Sequence, residues 1–168
     1  MFYILIFYLL NSYEISFLLG DKTPFGRLKR YFYPTPLFSL EISKEAKFLD
    51  IGLSFTYSRF NNQYSSLYFL KPKFFFEPSF LTIKNKRGTL FLGLSYLYLI
   101  REVYLENKKK ERGKYFDYNF GFGYKEKLNK INFRIRIFLS FIPERLTYEK
   151  ENNFYYFLNS QIGVGYGF

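Results

Sequence analysis

The side chains able to do chemistry in this sequence are carboxylates, ammoniums, guanidiniums and hydroxyls, because its 168 residues include no His and no Cys. Without imidazole there is no ready group of near-neutral pKa to shuttle a proton or to bind a metal through neutral nitrogen. Without a thiol there is no disulfide, thiolate nucleophile or zinc–sulfur site. Glu41, Asp50, Glu77 and Asp117 could meet as a general acid–base pair. A plainer use fits them better: Lys71, Lys73, Arg101, Arg134 and Arg136 need anions if they are buried, since a desolvated charge is costly unless paired. We therefore expect these nine residues to form an internal charge network, with no metal and no cofactor. Gly121-Phe-Gly123 and Gly163-Val-Gly165-Tyr-Gly167 are not followed by Lys-Ser or Lys-Thr, so they lack the mark of a phosphate-binding loop.

The elements that must position these groups are strands. In Phe48–Phe60, Leu49, Ile51, Leu53, Phe55 and Tyr57 alternate strictly with Asp50, Gly52, Ser54, Thr56 and Ser58. The same period of two runs through Tyr115–Tyr124 and Ile131–Phe141 and on to the final Phe168, and it places all five glycines above on the polar face. A helix would scatter each set around its circumference. The spacing predicts strands at about 15–20, 35–43, 47–59, 65–83, 89–105, 113–125, 130–142 and 153–168. Connections alternate between long (21–34, 60–64, 106–112, 143–152) and short (44–46, 84–88, 126–129). An even strand number with long and short ends is the pattern of a closed, antiparallel, up-and-down transmembrane β-barrel, all-β and here of eight strands. Pro72 and Pro78 interrupt the fourth strand, which predicts a bulge or an early strand end there.

Alternation does not by itself say which face meets water. A soluble barrel turns its apolar rows inward, whereas a membrane barrel turns them to lipid. The apolar rows carry no charge over successive positions, and a Lys or Arg at mid-bilayer costs about 2–4 kcal/mol. The opposite rows are mostly Gly, Ser, Thr and Asn, sizes that suit a narrow lumen. Tyr57, Tyr124, Tyr156 and Tyr166 sit near row ends, where an interfacial aromatic girdle lies. Aromatic residues make up 25% of the chain, which excludes a disordered one.

The last strand, Ser160–Phe168 (SQIGVGYGF), ends on an aromatic with Ile162, Val164 and Tyr166 at alternate positions before it. It resembles the terminal strand of bacterial outer-membrane β-barrel proteins. The chain from about residue 15 to 168 is similar in pattern to their small eight-stranded members of the OmpA and OmpX type. That resemblance implies that Ile162, Val164, Tyr166 and Phe168 are read by the barrel-assembly machinery, and that the protein lies in the outer membrane of a Gram-negative type bacterium. Enzymes among such barrels rely on His. Ile137-Phe138-Leu139-Ser140 is loosely similar to the His-x-Ser arrangement of the lipid A deacylases, but Phe138 stands where a base is needed and cannot abstract a proton. No catalysis is expected.

Phe2–Leu10 (FYILIFYLL) has the length of a signal-peptide core, with Ser12 and Ser16 flanking a cleavage point, so residues 1–16 read as a signal peptide and 17–168 as one barrel domain. No Lys or Arg precedes that run, and the alternative is a further buried strand. The net charge of +11 favours acidic partners. Arg27, Lys29 and Arg30 in the first long connection, with Lys108, Lys109, Lys110 and Arg112 in the third, are placed to meet lipopolysaccharide phosphates, or else simply to be solvated. Nucleic acid is not expected, because the aromatics share rows with Leu and Ile rather than with Lys. The expected role is non-enzymatic: structural or surface-interacting, with a charge-plugged lumen. A narrow channel for small solutes and a soluble, calycin-like lipid-binding barrel are the alternatives.

Overall fold

The computed structural model describes residues 13–46, 48–104, 109–145 and 152–168. Eight strands follow one another there: β1 (Tyr13–Pro24), β2 (Thr35–Ala46), β3 (Leu49–Asn61), β4 (Ser65–Ile83), β5 (Lys86–Val103), β6 (Lys109–Leu128), β7 (Ile131–Arg145) and β8 (Asn152–Gly167). Each pairs antiparallel with its neighbour in the chain, and β1 also pairs with β8, so the sheet closes into an up-and-down barrel. The seam is held to its end. Phe168 N–H donates to the Tyr13 carbonyl at 3.0 Å, Tyr13 N–H donates to the Phe168 carbonyl at 3.3 Å, and the two rings stack 6.4 Å apart.

Alternation along each strand becomes inside and outside. Phe17, Leu40, Leu53, Phe74, Phe120, Ile137 and Val164 face outward and are exposed, while Ser16, Glu41, Ser54, Lys73, Asn119, Arg136 and Gly163 face the lumen. The surface is therefore apolar and the interior polar, the reverse of a soluble barrel and the arrangement lipid requires. Tyr13, Tyr124 and Tyr166 lie toward one end of the outer wall, and Tyr57 and Tyr156 toward the other.

The ends differ as expected. One carries the short β2–β3 connection, with Phe48 in a turn, and tight turns at Lys84–Asn85 and Asn129–Lys130, where Lys84 (φ 54) and Asn129 (φ 58) take the left-handed conformation that two-residue hairpin turns demand. Both described chain ends, Tyr13 and Phe168, are on this side. By the rule for such barrels it is the inner end. The opposite, outer end carries a 3-10 turn at Gly26–Arg30, the Asn62–Tyr64 connection, and the two connections whose residues 105–108 and 146–151 lie outside the described ones.

Several strands run further than the alternation indicates. β1 starts at Tyr13 and continues to Pro24, so the expected boundary between residues 16 and 17 falls inside it; residues 1–12 lie outside the described ones. β6 starts at Lys109 rather than 113. Residues 109–112, read above as connection, pair with Ile100–Val103, and opposite charges face each other across this rung, Glu102 with Lys110 at 3.1 Å. Such pairs favour continued pairing where lipid no longer does. β4 runs through both prolines without ending. The register slips only between Ser79 and Leu81, directly after Pro78, which is the bulge expected there; Pro72 keeps its place opposite Phe55.

Candidate functional site in the barrel lumen

The lumen is stacked in layers, each built from inward positions of several strands. At the inner end Arg134 of β7 reaches across the barrel. Its Nε and Nη2 donate to the two oxygens of Glu14 at 2.8 and 2.9 Å, and Nη2 also reaches Asp50 at 3.1 Å. Lys125 closes the cluster with contacts of 2.8 Å to both Glu14 and Asp50, and Asn132 donates to Glu14 at 2.8 Å. Arg87 and Lys127 meet Glu45 at 2.8 and 3.0 Å at its rim.

One turn of the alternation further out stands Arg136. Its Nη1 donates to both oxygens of Glu41 at 2.6 and 2.7 Å, while Nε and Nη2 donate to Glu77 at 3.2 and 2.7 Å. Glu77 also accepts from Thr89 at 2.7 Å and from Arg134 at 3.2 Å, so it joins the two arginine layers. The guanidinium carbon of Arg136 lies 4.8 Å from the Phe75 ring centre and 4.7 Å from that of Phe91, a stacked contact that holds its plane. Arg136, Glu41, Phe75 and Phe91 are all 1% exposed or less, so among the described residues the side chains of this layer pack against one another across the lumen.

Above it, Lys73 lies over Phe138 and Phe91, 4.6 and 5.1 Å from their centres, and Lys71 pairs with Asp117. Ser140 Oγ donates to Asn119 at 2.8 Å and accepts from Asn159 at 2.9 Å. Its hydroxyl is thus engaged by two amides, neither of which can take its proton. Toward the outer mouth the lining turns apolar, with Phe60, Phe69 and Phe157 packed ring against ring at 5.4–5.6 Å. Lys22 sits beneath them. Its Nζ is 3.7 Å from the Phe69 centre and 4.2 Å from that of Phe157, and has no hydrogen-bond partner among the described residues. Six buried cations face five buried carboxylates in the lumen, and aromatic faces hold Lys22, as they hold Lys73.

Of the nine residues expected in the network, Glu41, Asp50, Glu77, Arg134 and Arg136 form one connected cluster, Lys71 and Asp117 form a separate pair, and Lys73 rests on aromatic rings. Arg101 is not in it. It stands exposed at the outer mouth, because β5 extends past the bilayer-spanning part of the barrel. Glu14, Lys22, Glu45, Arg87 and Lys125 belong to the lumen and were not foreseen. Row parity gives the signal for three of them: Glu14 lies two before Ser16, Lys22 two after Gly20, and Lys125 two after Gly123.

Ile162, Val164, Tyr166 and Phe168 all point outward, 50–62% exposed. Lys29, Arg30, Lys110 and Arg112 are exposed at the outer end. Arg27 lies in the 3-10 turn, Lys109 begins β6, and Lys108 falls outside the described residues.

Among solved structures, Neisserial surface protein A matches with a TM-score of 0.69 at 12% identity, covering 94% of this chain and 99% of its own. The attachment invasion locus protein Ail of Yersinia pestis matches at 0.58 and 14%, covering 94% and 99%. This is the fold of a small outer-membrane barrel. OprG of Pseudomonas aeruginosa, an outer-membrane protein, matches at 0.56 and 13%, covering 94% of this chain and 96% of its own. No protein-family model and no curated protein sequence matches the chain. At these identities the shared feature is the outer-membrane barrel fold, which hosts unrelated functions.

Proposed function

We propose that this outer-membrane barrel is a non-enzymatic protein that works through its outer surface, where Lys29, Arg30, Lys110 and Arg112 contact phosphates of lipopolysaccharide. The observation that carries this reading is the filled lumen. The Arg136–Glu41–Glu77 layer occupies the bore with paired charges and aromatic rings, which leaves the outer end as the surface able to act. That end holds exposed guanidinium and ammonium groups, and arginine in particular matches phosphate geometry with paired donors. A solved complex of Ail with the heparin analogue sucrose octasulfate involves the same fold and a polyanion, at 15% identity and a TM-score of 0.61.

The test replaces Lys29, Arg30, Lys110 and Arg112 together by Gln and measures binding of the folded barrel to lipopolysaccharide at several salt concentrations. Affinity should fall about tenfold or more, and its salt dependence should flatten, since each lost phosphate contact removes a charge-assisted hydrogen bond. Affinity equal to that of the unaltered protein contradicts the reading. Insertion by the barrel-assembly machinery through Ile162, Val164, Tyr166 and Phe168 belongs to the same proposal. It is supported by their alternate outward placement on the closing strand.

A further inference from the structure

The outer third of the lumen is built unlike the rest. Above the charged layers a cavity of about 300 Å³ opens at the outer mouth, walled largely by Phe32, Leu67, Phe69, Leu97, Ile142 and Phe157. At roughly 30 Å³ per water-sized group, it accommodates about ten non-hydrogen atoms. Walls in which Phe, Leu and Ile predominate favour an apolar occupant, while Asn62, Ser65 and the tyrosines give the rim a few polar groups. Arg101 is the one formal charge among the lining residues described.

A second cavity of about 380 Å³ adjoins the first and shares Tyr31, Phe32, Asn62 and Tyr64 with it. Its own contributions are polar and cationic, Lys29 and Arg30 of the 3-10 turn with Tyr33 and Gln63. The first cavity is therefore mostly apolar and lies within the barrel wall, and its neighbour is basic and exposed. A wholly apolar molecule would use only the first part, and an inorganic anion only the second.

We infer that the outer mouth is a binding site for a single-chain amphipathic anion: an acyl chain of about ten carbons seated between Leu97 and Phe157, with its carboxylate or phosphate head between Lys29 and Arg30. It shares Lys29 and Arg30 with the lipopolysaccharide reading, whereas the chain-binding part uses none of the four basic residues of that reading and stands or falls separately.

The test uses the full chain folded in phosphatidylcholine nanodiscs. A decanoate carrying a diazirine along its chain is added from water and photolysed, and the labelled peptides are mapped. In a parallel arm the diazirine sits on an acyl chain of a phospholipid in the disc. Labelling of Leu67, Phe69, Leu97 or Phe157 is expected, competed by unlabelled decanoate. Labelling by the free probe identifies a soluble amphiphile as the source, and labelling of the same residues by the phospholipid alone identifies a lipid chain. Either supports the site.

Leu97→Trp, which fills the cavity from β5, should lower labelling about tenfold. Lys29→Gln with Arg30→Gln should weaken competition by decanoate while leaving competition by decanol unchanged. Heat-dependent gel mobility checks that each variant is folded, and the surface pair keeps the test open should Leu97→Trp not fold. Labelling confined to outward residues such as Phe17 and Leu53, or labelling unaffected by both sets of substitutions, overturns the inference. Loss of lipopolysaccharide binding with intact labelling, or the converse, separates the two proposals.

Discussion

Replacing Arg136 with Met tests the reasoning about the lumen most sharply. The thioether side chain is of similar length and can keep contact with Phe75 and Phe91, so the change removes charge and hydrogen bonds more than volume. Glu77 keeps Thr89 at 2.7 Å and Arg134 at 3.2 Å. Glu41 loses both contacts, at 2.6 and 2.7 Å, that Arg136 makes with it. The loss thus concentrates on one carboxylate in a layer 1% exposed. Leaving one partner of a buried pair uncompensated costs about 3–5 kcal/mol. Glu41→Gln alone removes the anion but leaves Arg136 bonded to Glu77, so it should cost less, about 1–3 kcal/mol. Adding Glu41→Gln to Arg136→Met then removes the stranded charge, and the double variant should recover at least about 1 kcal/mol relative to additivity. The chain has no Trp, so urea unfolding in lipid vesicles is best followed by far-ultraviolet circular dichroism together with gel mobility. Arg136→Met within about 0.5 kcal/mol of the unaltered protein, or strict additivity in the cycle, would refute the paired-charge account of this layer.

Other outcomes follow from single contacts. A Cβ at Gly52 would stand 2.5 Å from Phe75 Cζ and 2.6 Å from the Ile42 carbonyl oxygen, so Gly52→Ala should destabilise by about 1–3 kcal/mol in the same unfolding assay. Phe168→Ala keeps the backbone bonds to Tyr13 but loses the ring contact, worth about 0.5–1.5 kcal/mol. The proposal expects a larger loss in the yield of folded barrel in cells than in spontaneous refolding into lipid; equal small losses in both would leave the assembly role unsupported. Ser140→Ala leaves amide groups of Asn119 and Asn159 without their shared hydroxyl and should cost about 1–3 kcal/mol, read as a lower urea midpoint. An unchanged midpoint would contradict the structural role given to Ser140.

The barrel was legible because its rows are so regular. Lipid tolerates no charge in the middle of an outward row, and a lumen this narrow selects small or paired residues, so Leu49–Ser58 and Ile131–Phe141 name both faces unaided. Strand ends were harder to read, because beyond the bilayer the apolar row no longer marks pairing. Glu102 and Lys110 extend β5 and β6 through a charged rung that reads as loop. The core of the charge network was readable from Glu41, Asp50, Glu77, Arg134 and Arg136, all lying on inward rows. Glu14 falls among residues 1–16, which read as a signal peptide, and Lys22 rests on aromatic rings, which carry no charge to mark a partner in the sequence. Arg101 shares the inward parity of its strand, yet its height above the membrane is set by the slant of the sheet and by the length of β5, which composition does not encode. The apolar mouth escaped notice for a related reason. Phe60, Phe69, Leu97 and Phe157 come from four strands and become one cluster only once the register is fixed.

Single-channel recording of the purified barrel in a planar bilayer tests the central claim, a lumen closed by paired charges and stacked rings. No steady conductance is expected from the unaltered protein, and intermittent openings are expected once Arg136 and Glu41 are both replaced by Ala. Stable, long-lived unit conductance from the unaltered barrel would contradict it and favour the narrow channel instead.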